Sequence, residues 1–224
     1  MTQKALTGNE ENEWAKDMWI SMMGLIGAGK STLAEKLSNN LNLPLYKEEV
    51  AENPCLQLFY SNPKEYGFLL QVDLLAQRYR EQIKLAANSV GGVQDRSIYE
   101  DLIFCRMLLK NNIISEVEYK TYLKLWNTIS TSLPKPNIIV HLKVSPEICH
   151  QRVRSRGRQM EEGVSLEYLQ DLHVEYEKFL EEISRHVFVV TLEWSEFHSE
   201  EKVIESIRDI WENAVKSHHI TLKD

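Results

Sequence analysis

The stretch that decides the fold of this chain is Gly24-Leu25-Ile26-Gly27-Ala28-Gly29-Lys30-Ser31. Its spacing is G-x-x-x-x-G-K-S, in which the glycines let backbone N–H groups turn inward around phosphate oxygens. The apolar run at residues 18–23 predicts a buried strand before it, and apolar residues at helical spacing predict a helix after it: Leu33, Ala34, Leu37 and Leu41. A strand, a glycine-rich turn and a helix N-terminus together predict a binding site for the phosphates of a nucleotide.

Each polar or backbone group of this loop has an expected contact. We expect the backbone around Gly24, Gly27, Ala28 and Gly29 to surround the phosphates, with Thr32 beside them at the start of the helix. Lys30 is expected to reach the β- and γ-phosphates, and the Ser31 hydroxyl to ligate Mg²⁺. The pattern therefore predicts ATP and Mg²⁺ as cofactors, against the alternative of a glycine-rich turn that binds nothing.

Composition restricts the class of protein. The chain has 224 residues and a net charge of −7, with 43% hydrophobic and 26% charged residues, which is ordinary for one globular domain. An acidic chain is a poor match for nucleic acid as a partner, and no segment has the roughly 18 apolar residues that a membrane span needs. Three widely spaced cysteines favour a reduced, cytoplasmic protein. We expect a flexible N-terminal extension over residues 1–17 and one domain over residues 18–224.

The rest of the chain alternates between predicted strands and predicted helices. Further strands are predicted at residues 45–47, 93–95, 138–142 and 187–192, with a loop that holds Asn53 and Pro54 after the second strand. Helices are predicted at residues 62–88, 98–111, 116–131, from 145 onward, at 165–184 and around 203–211. This alternation predicts an α/β fold with a five-stranded parallel sheet flanked by helices, and ligands at the carboxyl ends of its strands.

Charged residues follow two of these strands. Glu48 comes after the second strand, where a carboxylate can accept the proton of an attacking hydroxyl, and Glu49 competes for that role. Asp95 ends the third strand, so it can hold Mg²⁺ or cap the next helix, and both can be true together. Arg96 can then bridge the base carboxylate and the phosphoryl group in transfer.

Two further polar patterns indicate a binding site. Arg152, Arg154, Arg156 and Arg158 fall within seven residues, and we favour a lid that stabilises phosphoryl charge over a solvated surface. In residues 62–88, Gln71 and Arg78 lie seven apart on one stripe, where Gln71 suits the edge of a base and Arg78 can pair with Asp101. An exposed polar stripe is the alternative. The apolar stripe predicted for the same helix is Phe68, Val72, Leu75, Tyr79, Ile83 and Ala86.

With these motifs in order, the chain from residue 18 to about residue 211 resembles the deoxynucleoside kinases. The resemblance rests on the phosphate loop, Glu48-Glu49-Val50, Asn53-Pro54, Phe59-Tyr60, Phe68-Leu69-Leu70-Gln71, Asp95-Arg96-Ser97-Ile98-Tyr99-Glu100-Asp101, and Arg156-Gly157-Arg158 with Glu161. It implies a phosphate-loop kinase fold with an arginine-rich lid, and transfer of phosphate from ATP to the 5′-hydroxyl of a 2′-deoxynucleoside.

The resemblance also implies a role for each matching residue. Glu48 would be the general base, with Arg96 as its partner close to the phosphates. Gln71 would pair with the nucleobase, while Tyr60 and Glu161 would hold the sugar 3′-hydroxyl. The remaining matches are lid arginines and the loop around the donor base, namely Arg152, Arg156, Arg158, Glu196 and Phe197.

The Arg78–Asp101 pair resembles the branch that accepts deoxycytidine and purine deoxynucleosides, so deoxyadenosine is the expected substrate, followed by deoxyguanosine and deoxycytidine. A charged pair in that space disfavours thymidine. The family also implies a homodimer, for which the expected faces are residues 98–111 and 116–131, rich in apolar side chains: Leu102, Phe104, Leu108, Leu109, Tyr122, Leu125 and Trp126. A nucleoside monophosphate kinase and a non-catalytic nucleotide-binding subunit are the alternatives.

Overall fold

The computed structural model describes residues 12–47, 53–88, 90–158 and 161–217. Five strands lie among them: β1 (Trp19–Gly24), β2 (Leu45–Tyr46), β3 (Gly92–Asp95), β4 (Ile138–Lys143) and β5 (Val189–Glu193). The helices that alternate with them are α1 (Lys30–Leu41), α2 (Pro54–Ser61), α3 (Pro63–Ala87), α4 (Asp101–Lys110), α5 (Glu116–Ser130), α6 (Pro146–Arg156), α7 (Leu166–Ile183) and α8 (Glu200–Ser217).

The strands form one parallel sheet in the order β2-β3-β1-β4-β5. All six residues of β1 are buried, as are the first five of β4, because helices cover both faces of a parallel sheet and its central strands read as continuous apolar runs. In the register of the sheet, Met22 pairs with Asp95, and Gly24 pairs with Leu142. The phosphate loop and the end of β3 therefore lie side by side at the carboxyl ends of their strands. The parallel sheet with its flanking helices confirms the predicted α/β fold.

Two local predictions were wrong. The segment assigned to a loop at Asn53 and Pro54 instead begins α2, where Asn53 caps the helix by accepting a hydrogen bond from the Cys55 N–H at 2.8 Å. Asparagine followed by proline at the first helical position is a helix-start signal. The helix predicted from residue 98 begins only at Asp101, because the residues before it form turns, in which the Glu100 and Asp101 N–H groups donate to the Ser97 and Ile98 carbonyls at 3.2 and 3.3 Å.

The buried face of α3 also differs from the predicted apolar stripe. Of that stripe only Leu75 is buried, whereas Ile83 and Ala86 are exposed. The buried face instead carries leucines and polar residues: Leu70, Gln71, Leu74, Leu75, Arg78, Gln82 and Leu85. Because three polar side chains occupy this face, periodicity in hydrophobicity alone selects the wrong side of the helix.

The apolar residues of α4 and α5 divide between the core and the surface. Leu102, Leu108 and Tyr122 are buried within the chain, while Leu125 and Val117 are exposed. Most of the apolar side chains that we expected at a dimer interface therefore pack in or against the core of the single chain.

Part of the predicted N-terminal extension packs against the domain. A 3-10 turn spans Glu13–Ala15, and Ala15 is completely buried. The Asn12 side chain donates a hydrogen bond to the Asn40 carbonyl at 2.8 Å. Residues 1–11 lie outside the described residues. Among the described helices, none is both long and apolar enough to cross a membrane.

Candidate active site

The phosphate loop joins β1 to α1 through three glycines with positive φ: Gly24 at 150°, Gly27 at 85° and Gly29 at 100°. A side chain is excluded at Gly27, where a Cβ atom would lie 2.5 Å from the Cys149 carbonyl oxygen. The Lys30 ammonium donates hydrogen bonds to the Gly24 and Leu25 carbonyls, at 2.8 and 2.9 Å. The loop is thus a tight cradle with its N–H groups near the N-terminus of α1, as phosphate binding requires.

A cavity of about 430 Å³ opens in front of this loop, a size typical of small-molecule sites. It brings together most of the predicted site residues: Gly27, Gly29, Lys30, Ser31, Thr32, Tyr60, Gln71, Arg78, Asp95, Arg96, Arg156, Arg158 and Glu161. Gly24, Ala28, Arg152, Asp101, Glu196 and Phe197 do not line it. Glu48 and Glu49 lie outside the described residues.

Arg96 lies at the junction between β3 and α4, with 4% of its surface exposed. Its Nη1 atom donates to the Tyr176 hydroxyl at 3.2 Å and lies 3.6 Å from Glu100 Oε1. The guanidinium also packs over the Phe104 ring, 4.8 Å from its centre. A buried cation held on several sides in a left-handed conformation is typical of a functional position.

The far end of the cavity is lined by polar groups of α3. Gln71 is 3% exposed, and among the described residues its Oε1 atom has no hydrogen-bond partner. Arg78 forms a buried ion pair with Asp101, which is completely buried behind the cavity wall. The Gln71–Arg78 stripe is therefore buried, which excludes the exposed polar stripe. A buried amide oxygen facing a cavity can accept a hydrogen bond from a ligand.

The arginine cluster divides between two places. Arg156 forms a two-pronged pair with Glu161, at 2.6 and 2.5 Å, and Arg158 lies 3.6 Å from the same carboxylate. These residues border the cavity next to Tyr60, whose pKa is raised to about 12 by burial and by the Glu161 charge. Arg154 is exposed.

Arg152, expected in the lid, instead fastens α6 to the phosphate loop. It donates hydrogen bonds to the carbonyls of Ala28, Trp194 and Ser195, at 3.1, 3.0 and 2.9 Å. Its guanidinium packs over the Phe197 ring at 4.6 Å. Phe197 is 65% exposed, and a Cβ atom on Gly29 would lie 3.5 Å from its ring. The segment after β5 is thus adjacent to the loop beside Gly29.

Sequence reasoning missed several residues of the site. The aromatic rings of Phe59, Phe104 and Tyr168 line the cavity, while Trp194 packs beside Gly29. Glu100 and Tyr176 lie behind it in contact with Arg96. Glu100 belongs to the same motif as Arg96 and follows it by four residues, so the motif is the one sequence signal that could have indicated it. No local pattern indicates Tyr176, because it comes from a distant helix.

One cavity holds a phosphate loop, cationic side chains that face the loop, and a polar end with room for a nucleobase. This combination defines a phosphate-loop phosphotransferase. The deoxynucleoside kinase family model matches residues 20–216. The chain therefore belongs to the deoxynucleoside kinase family.

Similar proteins agree with this assignment. A deoxyadenosine kinase of Dictyostelium discoideum is 44% identical over 209 residues, covering 93% of this chain and 85% of that protein. A deoxyadenosine/deoxycytidine kinase of Bacillus subtilis (strain 168) is 34% identical, covering 89% and 94%. A solved structure of deoxyadenosine kinase from M. mycoides with dCMP and dCDP matches with a TM-score of 0.77 and 29% identity, covering 88% of this chain and all of that one.

Proposed function

We propose that this kinase transfers the γ-phosphoryl group of ATP to the 5′-hydroxyl of a 2′-deoxynucleoside, with deoxyadenosine as the preferred acceptor. The observation that carries the proposal is the shared cavity, in which Lys30 and Arg96 face the same space as Gln71. A donor phosphate in the loop and a nucleoside against Gln71 would then meet between the two cations. The names of the Dictyostelium and Bacillus relatives both include deoxyadenosine, and that of the Bacillus relative also includes deoxycytidine.

At the phosphate end, Lys30, Arg96, Arg156 and Arg158 stabilise the negative charge on the transferring group. Ser31 and Asp95 line the same cavity and offer the hard oxygen ligands that Mg²⁺ prefers. Bound there, Mg²⁺ would supply charge neutralisation of the phosphates. The ADP moiety lies along Gly24, Gly27, Ala28, Gly29 and Thr32, with Arg152, Glu196 and Phe197 bordering the donor base.

At the nucleoside end, Gln71 hydrogen-bonds the base, and the Arg78–Asp101 pair closes the space beyond it. Tyr60 and Glu161 hold the 3′-hydroxyl, and Glu161 would exchange part of its contact with Arg156 for the sugar. Glu48 serves as the general base for the 5′-hydroxyl, a role that comes from the sequence and the family. We also include in the proposal a homodimer, formed through the half-buried Leu109 of α4 and the exposed Val117 and Leu125 of α5, and residence in the cytoplasm.

The test of this function is the rate of phosphorylation of deoxyadenosine, deoxyguanosine, deoxycytidine and thymidine by purified protein with Mg·ATP. We expect kcat/KM to be greatest for deoxyadenosine and least for thymidine. Turnover of a deoxynucleoside monophosphate instead would favour the monophosphate kinase alternative. ATP binding without any turnover would favour the non-catalytic one.

A matched pair of variants tests the assignment of Glu48 as the general base. Glu48→Gln should lower kcat at least about a hundredfold, the lower range for general base catalysis, while deoxyadenosine still binds. The neighbouring Glu49→Gln should retain most activity. The reverse result would transfer the role to Glu49. Light scattering of the full chain tests the dimer, which a monomer mass would contradict.

A further inference from the structure

A buried pair of side chains connects two of the cationic residues of the phosphate site, Lys30 and Arg96. Tyr176 in α7 is 1% exposed and Glu100, just before α4, is completely buried. The Tyr176 hydroxyl lies 2.5 Å from Glu100 Oε1 and 2.9 Å from the Gly24 carbonyl oxygen. Neither side chain lines the cavity formed by the described residues. Any effect of this pair on the reaction must therefore pass through the groups that it holds.

On one side the pair holds the phosphate loop. The Gly24 N–H donates to Glu100 Oε1 at 3.0 Å. The Gly24 carbonyl faces both the Tyr176 hydroxyl and the Lys30 ammonium, at 2.9 and 2.8 Å. Both polar groups of this residue are thereby fixed by side chains from distant parts of the chain. The position of the first loop glycine, and with it that of Lys30, depends on the pair.

On the other side the pair holds Arg96. The Arg96 guanidinium donates to the Tyr176 hydroxyl oxygen at 3.2 Å, and its Nη1 atom lies 3.6 Å from Glu100 Oε1. The hydroxyl therefore accepts from Arg96 while its own proton points to the Glu100 carboxylate, the nearer of its two acceptors. Burial raises the pKa of Tyr176 well above its ordinary value, so the hydroxyl keeps its proton. The buried charge of Glu100 is offset by the arginine and by two hydrogen-bond donors.

We infer that Glu100 and Tyr176 are positioning residues, which align the Arg96 guanidinium with the phosphate loop for phosphoryl transfer. Arg96 needs such support, since its backbone is in the left-handed region (φ 73°) and its buried side chain lines the cavity. A misplacement of about 1 Å can lower the rate of a reaction about a hundredfold. The inference rests on the proposed roles of Lys30 and Arg96.

The experiment compares Tyr176→Phe with Tyr99→Phe in the full-length protein, using Mg·ATP and deoxyadenosine at saturation. Each variant removes one buried hydroxyl and keeps the ring, but the Tyr99 hydroxyl has no hydrogen-bond partner among the described residues. We expect Tyr176→Phe to lower kcat about tenfold with both KM values within about twofold, because the lost hydrogen bond acts on the transition state. Tyr99→Phe should keep kcat within about twofold.

A double-mutant cycle separates positioning from general support of the fold. If Tyr176 acts through Arg96, Tyr176→Phe in an Arg96→Lys background should lower kcat by less than about threefold further. A further tenfold loss in that background would overturn the inference, as would a folded Tyr176→Phe enzyme with kcat within about twofold of the parent.

Glu100→Gln is the second variant if Tyr176→Phe does not fold. It keeps an acceptor oxygen for Gly24 and Tyr176 but removes the charge beside Arg96, so kcat should fall at least about threefold with unchanged KM values. An unchanged kcat in this variant counts against the inference. Failure of the proposed function would look different, because the parent enzyme itself would then phosphorylate no deoxynucleoside.

Discussion

At the scale of single residues, two glycines near the phosphate site have positive φ for different reasons. Gly27 (φ 85°) has no room for a side chain, with the Cys149 carbonyl oxygen 2.5 Å from the Cβ position. Gly157 (φ 60°) ends α6, and nothing lies within 4 Å of its Cβ position. Gly27→Ala therefore combines a backbone clash with conformational strain, whereas Gly157→Ala introduces only the strain.

We expect Gly157→Ala to reduce the free energy of unfolding by about 1 kcal/mol. Gly27→Ala should reduce it by about 3 kcal/mol or more and weaken ATP binding at least about tenfold, since the loop must move to admit the methyl group. Urea unfolding and calorimetric titration with ATP measure both quantities. Equal effects of the two variants on ATP affinity would contradict the steric argument.

The buried Arg78–Asp101 pair leads to a prediction about the choice of acceptor. Removing one partner would leave a buried charge unpaired, at a cost of about 3–5 kcal/mol, so the pair must be replaced as a unit. Arg78→Leu with Asp101→Ala should raise kcat/KM for thymidine about tenfold relative to that for deoxyadenosine, because it removes polar groups and opens space beyond Gln71.

The matched control is Arg106→Leu with Glu182→Ala. That pair is likewise an arginine with a carboxylate, joined by two hydrogen bonds at 2.9 and 2.8 Å, but it lies between α4 and α7 at the surface. The ratio of thymidine to deoxyadenosine turnover should not change in the control. If the ratio of thymidine to deoxyadenosine turnover changes equally in both double variants, the Arg78–Asp101 pair does not select the nucleobase.

Sequence reasoning at this scale succeeded where a residue acts within a local motif. Lys30, Asp95 and Arg96 follow strands and line the cavity as expected. It did not indicate the contacts of Arg152, because hydrogen bonds to three carbonyls from two other segments hold that side chain beside the phosphate loop. Tyr176 was not predicted at all, since its partners Gly24 and Glu100 are 152 and 76 residues away in sequence.

At the scale of secondary-structure elements, helix caps test how much local hydrogen bonds stabilise the fold. Ser115 and Glu118 form a reciprocal capping box at the start of α5: the Ser115 N–H donates to Glu118 Oε2 at 2.7 Å, and the Glu118 N–H donates to Ser115 Oγ at 3.3 Å. The Ser115 hydroxyl also donates to Glu118 Oε2 at 2.7 Å, and the two hydrogen bonds that this carboxyl accepts from Ser115 lower its pKa. The cap lies outside the residues that line the cavity.

Ser115→Ala should therefore reduce the free energy of unfolding by about 1 kcal/mol and leave kcat unchanged. Ser206→Ala is the control, because Ser206 is exposed in the interior of α8 and its hydroxyl only bonds the Lys202 carbonyl of the same helix. Chemical unfolding of both variants measures the difference. If Ser115→Ala lowers the free energy of unfolding by less than about 0.3 kcal/mol, water must satisfy the groups at the start of α5 as well as the capping hydrogen bonds do.

Elements with strong end signals could be predicted well. Pro63 begins α3 and Ser165 caps α7, as the sequence indicated. The eight-residue α2 was missed because a helix of only about two turns is too short to establish an apolar period. The buried face of α3 was misassigned because it is partly polar: Gln71 and Arg78 line the cavity, and Gln82 donates a hydrogen bond to the Pro134 carbonyl.

At the scale of the whole molecule, the local patterns predicted five parallel strands but did not give their order. The central position of β1, between β3 and β4, depends on contacts between segments more than 60 residues apart. Because β1 is the central strand, the phosphate loop lies midway along the row of carboxyl strand ends. Phe197 follows β5, which is the outer strand on one side. A topology of this kind follows from packing helices on both faces of the sheet.

The same sheet buries a histidine that should make global stability depend on pH. His141 in β4 is 4% exposed, and its pKa is lowered to about 4 from an ordinary value of 6.5 by burial and by the nearby His173 and Lys143. Between these two values the unfolded chain binds a proton that the folded chain does not. Stability is therefore unaffected by this group above pH 6.5 and falls as the pH drops toward 4.

From the two pKa values, we expect His141 to account for about 2 kcal/mol of the stability lost between pH 7.5 and pH 5. Urea unfolding at both pH values gives the loss of unfolding free energy for the parent and for His141→Gln. The difference between the two losses is the contribution of His141, because any effect of the substitution that does not depend on pH cancels. The exposed His186→Gln is the control and should retain the parental loss. An equal pH-dependent loss in His141→Gln and the parent would mean that His141 takes up its proton without disturbing the sheet.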